Sequence, residues 1–161
     1  SKGMRHGYIV NSGDVSASIS NAVKIAEKAS GIKIHKAYIA VGGIGLGSAT
    51  STGTTIVSRA DLHITDLDIE KATSNCEENI PTNLIQNQKI LHSIPLSYKI
   101  DGKSVLTKSP LDMKGTKLEV KMLFVTCLEP HLNDLLEAVD STGIDIVDVM
   151  ASPIAASFVT L

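Results

Sequence analysis

Apolar and polar residues alternate along this chain with two different periods. Between residues 12 and 31, Val15, Ile19, Ala22, Val23, Ala26 and Ala29 recur at three- and four-residue steps, the spacing of one helix face. Ser12 or Asp14 is placed to cap the first turn, and Gly31 suits the position past the last one. Before this helix, GYIVN (7–11) reads as a short strand, and after it IHKAYIAVGG (34–43) reads as another. A glycine-rich run, VGGIGLGSATSTGTT (41–55), leads into TTIVS (54–58), a second short strand. That order predicts a hairpin or a wide turn. The segment 64–80 returns to the helical period. Thr65 and Asp68 have capping-box spacing, Ile64 and Ile69 fit a hydrophobic staple, and Ile69, Ala72, Thr73, Cys76 and Ile80 form the apolar face. Pro81 blocks its continuation.

The second half opens on a period of two. Ile90, His92, Ile94, Leu96, Tyr98 and Ile100 share one face, and Asp101-Gly102 is a hairpin turn. Pro95 cannot donate to a ladder, so this strand is expected at an edge or with a bulge. A polar loop (109–115) precedes a long strand, TKLEVKMLFVTC (116–127). EPHLNDLLEAVDSTG (129–143) is a helix with Pro130 near its start, an apolar stripe of Leu132, Leu135, Leu136 and Val139, and Gly143 at its end. IDIVDVMAS (144–152) is a strand, and the residues behind Ser152 and Pro153 begin a last helix. Strands and helices interleave, so the fold class is α/β or α+β.

Does the glycine-rich run hold a nucleotide? A dinucleotide fingerprint needs GxGxxG, but Ser48 and Thr50 occupy the third glycine position in the two available registers. Gly42 and Gly47 have P-loop spacing, yet Ser48 stands where the lysine belongs. Both motifs also need a following helix, whose first amides hold the phosphate, and the residues that follow are β-branched. A structural turn is the expected role. The five histidines make no zinc spacing. Cys127 and His131, four apart, straddle a strand end and a helix start and make a poor nucleophile pair. Asp145 and Asp148, three apart on a strand, are expected on opposite faces. No catalytic, cofactor-binding or metal residue is assigned.

Composition narrows the remaining classes. At 161 residues and 43% hydrophobic, the chain can bury a core. A net charge of −2, scattered lysines and arginines, and few aromatics speak against a nucleic-acid partner. Two separated cysteines fit a reduced compartment, and no apolar run is long enough to span a membrane. Ser1 in place of an initiator Met, and Leu161 inside a helical pattern, suggest a piece of a larger protein.

KILHSIPLSYKIDGK followed by SPLDMKGTKLEVKMLFVTC resembles the FtsA family of bacterial cell-division proteins, actin-like ATPases. There a Leu-His-x-Ile-Pro strand, a Tyr-x-Ile/Val-Asp turn, a Pro-x-x-Met-x-Gly loop and a long apolar strand follow in order. AVKIAEKASGIKIHKAYIAVGG is similar to the family's preceding helix and strand. STGIDIVDVMASPIAASFVTL resembles the segment before the second phosphate loop in FtsA and in DnaK-type chaperones. The resemblance implies an actin-like (ribonuclease H-like) fold in three parts. Residues 1–33 and 120–161 would belong to subdomain 1A, and 34–119 to the strand–helix–strand–strand insert called 1C.

The implied function is protein–protein interaction. Family members bind ATP, polymerise, tether FtsZ to the inner membrane at its cytoplasmic face, and recruit later divisome proteins. Subdomain 1C would contact neighbouring subunits and the cytoplasmic tail of FtsN. Neither the ATP loops nor the C-terminal membrane helix of the family maps onto residues here, so ATP with Mg and membrane contact are expected only of a full-length protein, and no catalysis of this segment. A candidate partner-binding edge is the strand of Thr54, Thr55, Ile56, Val57 and Ser58. The Ala22/Ala26 and Leu132/Leu136 stripes are expected to lie open and to favour a homodimer. Two alternatives are the matching segment of a PilM-type pilus-assembly ATPase, which shares the insert, and a small nucleotide-binding enzyme.

Overall fold

A computed structural model describes residues 2–160. In chain order the elements are β1 (Met4–Arg5), β2 (Tyr8–Ile9), α1 (Ser12–Ser30), β3 (Lys36–Val41), β4 (Leu46–Ile56), α2 (Asp66–Glu78), α3 (Thr82–Ile85), β5 (Gln88–Ile100), β6 (Lys103–Ser104), β7 (Lys117–Leu128), α4 (Glu129–Asp140), β8 (Asp145–Ala151) and α5 (Ser152–Thr160). The chain divides into two compact units. One comprises Ser1–Gly47, Asn87–His92 and Thr126–Leu161, and the other Ser48–Gln86 and Ser93–Val125.

In the first unit, β3 and β8 pair in parallel, from Lys36 beside Asp145 to Val41 beside Ala151. Parallel strands need a crossover, and β8 arrives through α4. Val41, Cys127 and Leu132 are buried together, with Ile39, Leu46, Leu91, Leu135, Leu136 and Val149 packed around them. Leu132 and Leu136 are therefore core residues rather than an open stripe, because α4 turns them toward Val41 and Cys127. On α1 only Val15 is buried, and Ala22 and Ala26 are exposed. The cap of α1 is Asn11, whose side chain accepts from Asp14 N–H at 3.1 Å, rather than Ser12 or Asp14. The helix already begins at Ser12, which puts Asn11 in the half-in position whose oxygen reaches the third amide.

The β3–β8 register also corrects the reading of the two acids. Ala37 pairs with Ile146 and Tyr38 with Asp148, so Val147 is an extra residue on β8. The bulge resets the alternation. Asp145 and Asp148 stand beside Lys36 and Tyr38, two apart on β3, and so share a face.

In the second unit the sheet order is β4-β7-β5-β6, with α2 between β4 and β5 in the chain. This is the expected strand–helix–strand–strand unit. Two expectations about its start are overturned. β3 and β4 form no hairpin, since β3 pairs with β8 and β4 joins the other sheet. β3 thus belongs to the first unit, although it lies inside the span 34–119 expected for the insert. The second strand is also eleven residues long and takes up most of the glycine-rich run, which turns only at Gly42 to Gly45 before Leu46 N–H returns to Gly43 O at 3.2 Å. β-Branched and small residues sustain an extended backbone there.

The core of this unit is one face of β7, where Leu118, Val120, Met122 and Phe124 are buried, together with Ile64, Ala72, Cys76 and Ile80. The β5–β6 hairpin turns at Asp101 and Gly102, both with positive φ (48° and 80°), the mirror-image turn that matches strand twist. β6 pairs only with Lys99 and Ile100, so Pro95 lies on a stretch of β5 that β6 does not reach.

α2 packs on β4 at backbone distance, and Gly53 permits it. A Cβ there would overlap the Ala72 carbonyl oxygen and lie 2.5 Å from the Cys76 nitrogen. Gly53→Ala is therefore expected to destabilise the second unit by roughly 3 kcal/mol, since backbone must move to admit the methyl. A urea midpoint equal to wild type would contradict this packing.

Candidate partner-binding edge

The stretch singled out in the sequence lies at the sheet's rim. β4 is the terminal strand of its sheet; Thr54, Thr55 and Ile56 close it, and Val57 and Ser58 follow. Val57 N–H donates to Thr116 O at 2.9 Å, turning toward the β7 side. Backbone groups alternate in direction along a strand, so those of Thr52, Thr54 and Ile56 turn outward. Side chains alternate between faces in the same way: Val57 is buried, and Ile56 is 70% exposed.

Two of the three outward carbonyls have donors at the end of α2, and the third, Ile56 O, accepts only a long bond from the Thr55 hydroxyl at 3.5 Å. Asn75 Nδ2 donates to Thr54 O at 2.8 Å, and Asn79 Nδ2 donates to Thr52 O at 3.0 Å. Asn75 is in the last turns of α2 and Asn79 caps its end, one helical turn later. Among the described residues, the outward N–H groups of Thr52, Thr54 and Ile56 have no such side-chain acceptor.

The far end of the edge is clamped by a carboxylate. Ser58 donates both its backbone N–H (3.0 Å) and its hydroxyl (2.9 Å) to Asp68 Oδ1. Thr65 donates its N–H (2.9 Å) and its hydroxyl (2.8 Å) to Asp68 Oδ2. The expected capping box is thus present, and its acid also holds the segment leaving β4. Asp68 is fully buried. Burial pushes its pKa up, but the hydrogen bonds from Thr65 and Ser58 outweigh that and hold it at about 2. Beyond Ser58, Arg59 Nη2 lies 2.6 Å from Asp61 Oδ2, and His63 Nδ1 lies 3.3 Å from the same oxygen. The guanidinium holds the Asp61 carboxyl well below the usual range.

Other residues weighed from the sequence serve packing. Cys127 and His131 are both buried, and burial raises the Cys127 thiol pKa, away from the thiolate a nucleophile needs. The His131 ring packs on Tyr8 with centroids 4.8 Å apart. His92 Nε2 accepts from Ala151 N–H at 2.9 Å. The glycine-rich run opens a strand rather than a helix, so no helix amides converge where a phosphate would sit. Gly45 lies against the His131 ring, and Gly47 against the Thr126 hydroxyl.

Comparison with known proteins fixes the family. Residues 43–126 match the model described as the SHS2 domain inserted in FTSA, over just more than half of the chain. This chain belongs to the FtsA family. The FtsA match begins after β3 and covers all of the second unit. Among curated relatives, the cell division protein FtsA of Pseudomonas aeruginosa is 28% identical over 100% of this chain and 37% of that protein. FtsA of Bacillus subtilis is 29% identical over 100% of this chain and 36% of that protein. The chain thus spans little more than a third of the length of the relatives it matches. A chain of the solved PilM-PilN type IV pilus biogenesis complex superposes with a TM-score of 0.57 at 14% identity, covering 98% of this chain and 39% of that one. That likeness is one of fold, and agrees with the mixed α/β, actin-like assignment.

Asp68 links the site to pH. Its folded pKa of about 2 lies below the ordinary 3.8, so its contribution is complete above pH 4 and is lost as pH falls toward 2. Asp68→Asn is expected to lower stability by about 2 kcal/mol near pH 7, with the gap from wild type closing between pH 4 and 2. A gap that stays constant over that range would refute the clamp.

Proposed function

We propose that this chain is a protein–protein interaction module of an FtsA-like cell-division protein. The observation that carries this reading is the family match over residues 43–126, on a unit whose terminal strand β4 turns backbone N–H groups outward. An extended partner segment adds to such an edge through main-chain hydrogen bonds, while the side chains flanking the edge select it. The docking stretch is Thr54, Thr55, Ile56, Val57 and Ser58. Ile56 offers the exposed apolar contact, and Thr54 and Ile56 offer the outward N–H groups.

In the full-length protein this module works at the cytoplasmic face of the inner membrane. That protein polymerises, tethers FtsZ and recruits later divisome proteins, among them one presenting an FtsN-like cytoplasmic tail. ATP and Mg are bound by segments outside residues 1–161, and the module acts by contact rather than catalysis. The pilus-complex likeness, at 14% identity, supports the fold without favouring a pilus role.

Titrating the labelled chain with a peptide of the FtsN cytoplasmic tail is expected to shift the amide resonances of Thr54 and Ile56. Spectra unchanged along 52–58 at saturating peptide would refute docking at this edge. Calorimetry with ATP and Mg is expected to give no binding heat; a saturable signal would instead favour the small nucleotide enzyme.

A further inference from the structure

β4 lacks the usual protections of an outer strand. From Leu46 to Ile56 its sequence, LGSATSTGTTI, contains no charged residue and no proline. An outer strand of this length without charge or proline is a template for pairing with another copy of itself, and natural proteins block such edges by specific devices. Here the obvious devices are missing and Asn75 and Asn79 stand in their place. Their amides reach over the rim of the sheet and donate to the outward carbonyls of Thr54 and Thr52. Those two oxygens are the acceptors that a second strand would need in order to pair with this part of β4.

We propose that Asn75 and Asn79 are edge guards, which keep β4 from pairing with β4 of a second copy of this chain. The second copy is the occupant that the strand itself specifies. A run of threonine, serine, glycine and alanine is self-compatible in an antiparallel pair, since no like charges oppose. The guards also restrict where a strand can enter. Ser58 N–H is held by Asp68 and the carbonyls of Thr52 and Thr54 by the asparagines, so the least restrained position is Ile56, whose carbonyl takes only a long bond from the Thr55 hydroxyl at 3.5 Å. Pairing over the full strand requires both asparagine amides to leave. The guards act through neutral hydrogen bonds that an incoming strand can replace one for one, so the block is reversible.

The test is read without any partner peptide, so its failure is distinct from a failure of peptide docking. Asn75→Ala/Asn79→Ala and wild type are compared by sedimentation velocity and residue-resolved amide exchange over a range of protein concentrations. In wild type, the amides of Thr52, Thr54 and Ile56 are expected to exchange fast at every concentration. In the double variant they are expected to slow roughly tenfold as concentration rises, together with formation of a dimer. Asn79 lies outside α2 and is exposed, so Asn79→Ala alone preserves the helix and should show the same change in weaker form. Variants whose three amides exchange as in wild type at all concentrations overturn the proposal. So does a wild type that already shows concentration-dependent protection at these amides.

Discussion

The second unit depends on how closely α2 approaches β4. Helix and strand meet backbone to backbone at Gly53, which brings the polar ends of α2 within reach of the strand. At the start of the helix Asp68 holds Ser58; at its end Asn75 and Asn79 hold Thr54 and Thr52. Also near the helix end, Ser51 donates its hydroxyl to the Cys76 carbonyl. A larger residue at position 53 would lift the helix and open all of these contacts together. One glycine thus conditions both the packing of the core and the state of the sheet rim.

Much of this arrangement is legible in the sequence. The helices announce themselves through periodicity and caps: Thr65 with Asp68, Pro130 with Gly143, and Gly31 with φ of 72°. Asp101-Gly102 specifies its turn because two successive positive φ values suit few other pairs. What the sequence hides is non-local. β3 reads like half of a hairpin because β4 follows it, but its partner β8 lies about a hundred residues on, and no local signal records a parallel pairing. The bulge at Val147 is hidden for the same reason, since it exists only relative to β3. The glycines of 41–55 read as one loop, yet they answer separate demands. Gly43 takes a positive φ of 95°, whereas Gly53 makes room for a helix that begins thirteen residues later.

The candidate site was half legible. Residues 54–58 could be read as an edge because the strand is bounded by a turn and a loop, and β4 is indeed terminal. Asn75 and Asn79 carry no local signal of an edge role in the sequence. Their four-residue spacing puts them on one side of α2, but nothing in sequence says that this side overhangs β4. Asp68 was visible as a capping residue, and its second role was not, because Ser58 is ten residues away across a loop.

These contacts change what an outer strand means in this protein. Exposure alone argues weakly for a binding edge, since most outer strands are protected. Protection by a charge or a proline is permanent: it excludes a partner as firmly as it excludes aggregation. Protection by side-chain amides differs in kind. Each asparagine bond contributes only about 1 kcal/mol net, and an incoming strand supplies donors of the same chemistry. An edge closed in this way stays shut to weak, unspecific encounters and opens to a segment whose side chains add contact energy beside Ile56. Low charge along β4 and asparagines above it are therefore consistent features of one surface, suited to selective rather than constitutive pairing.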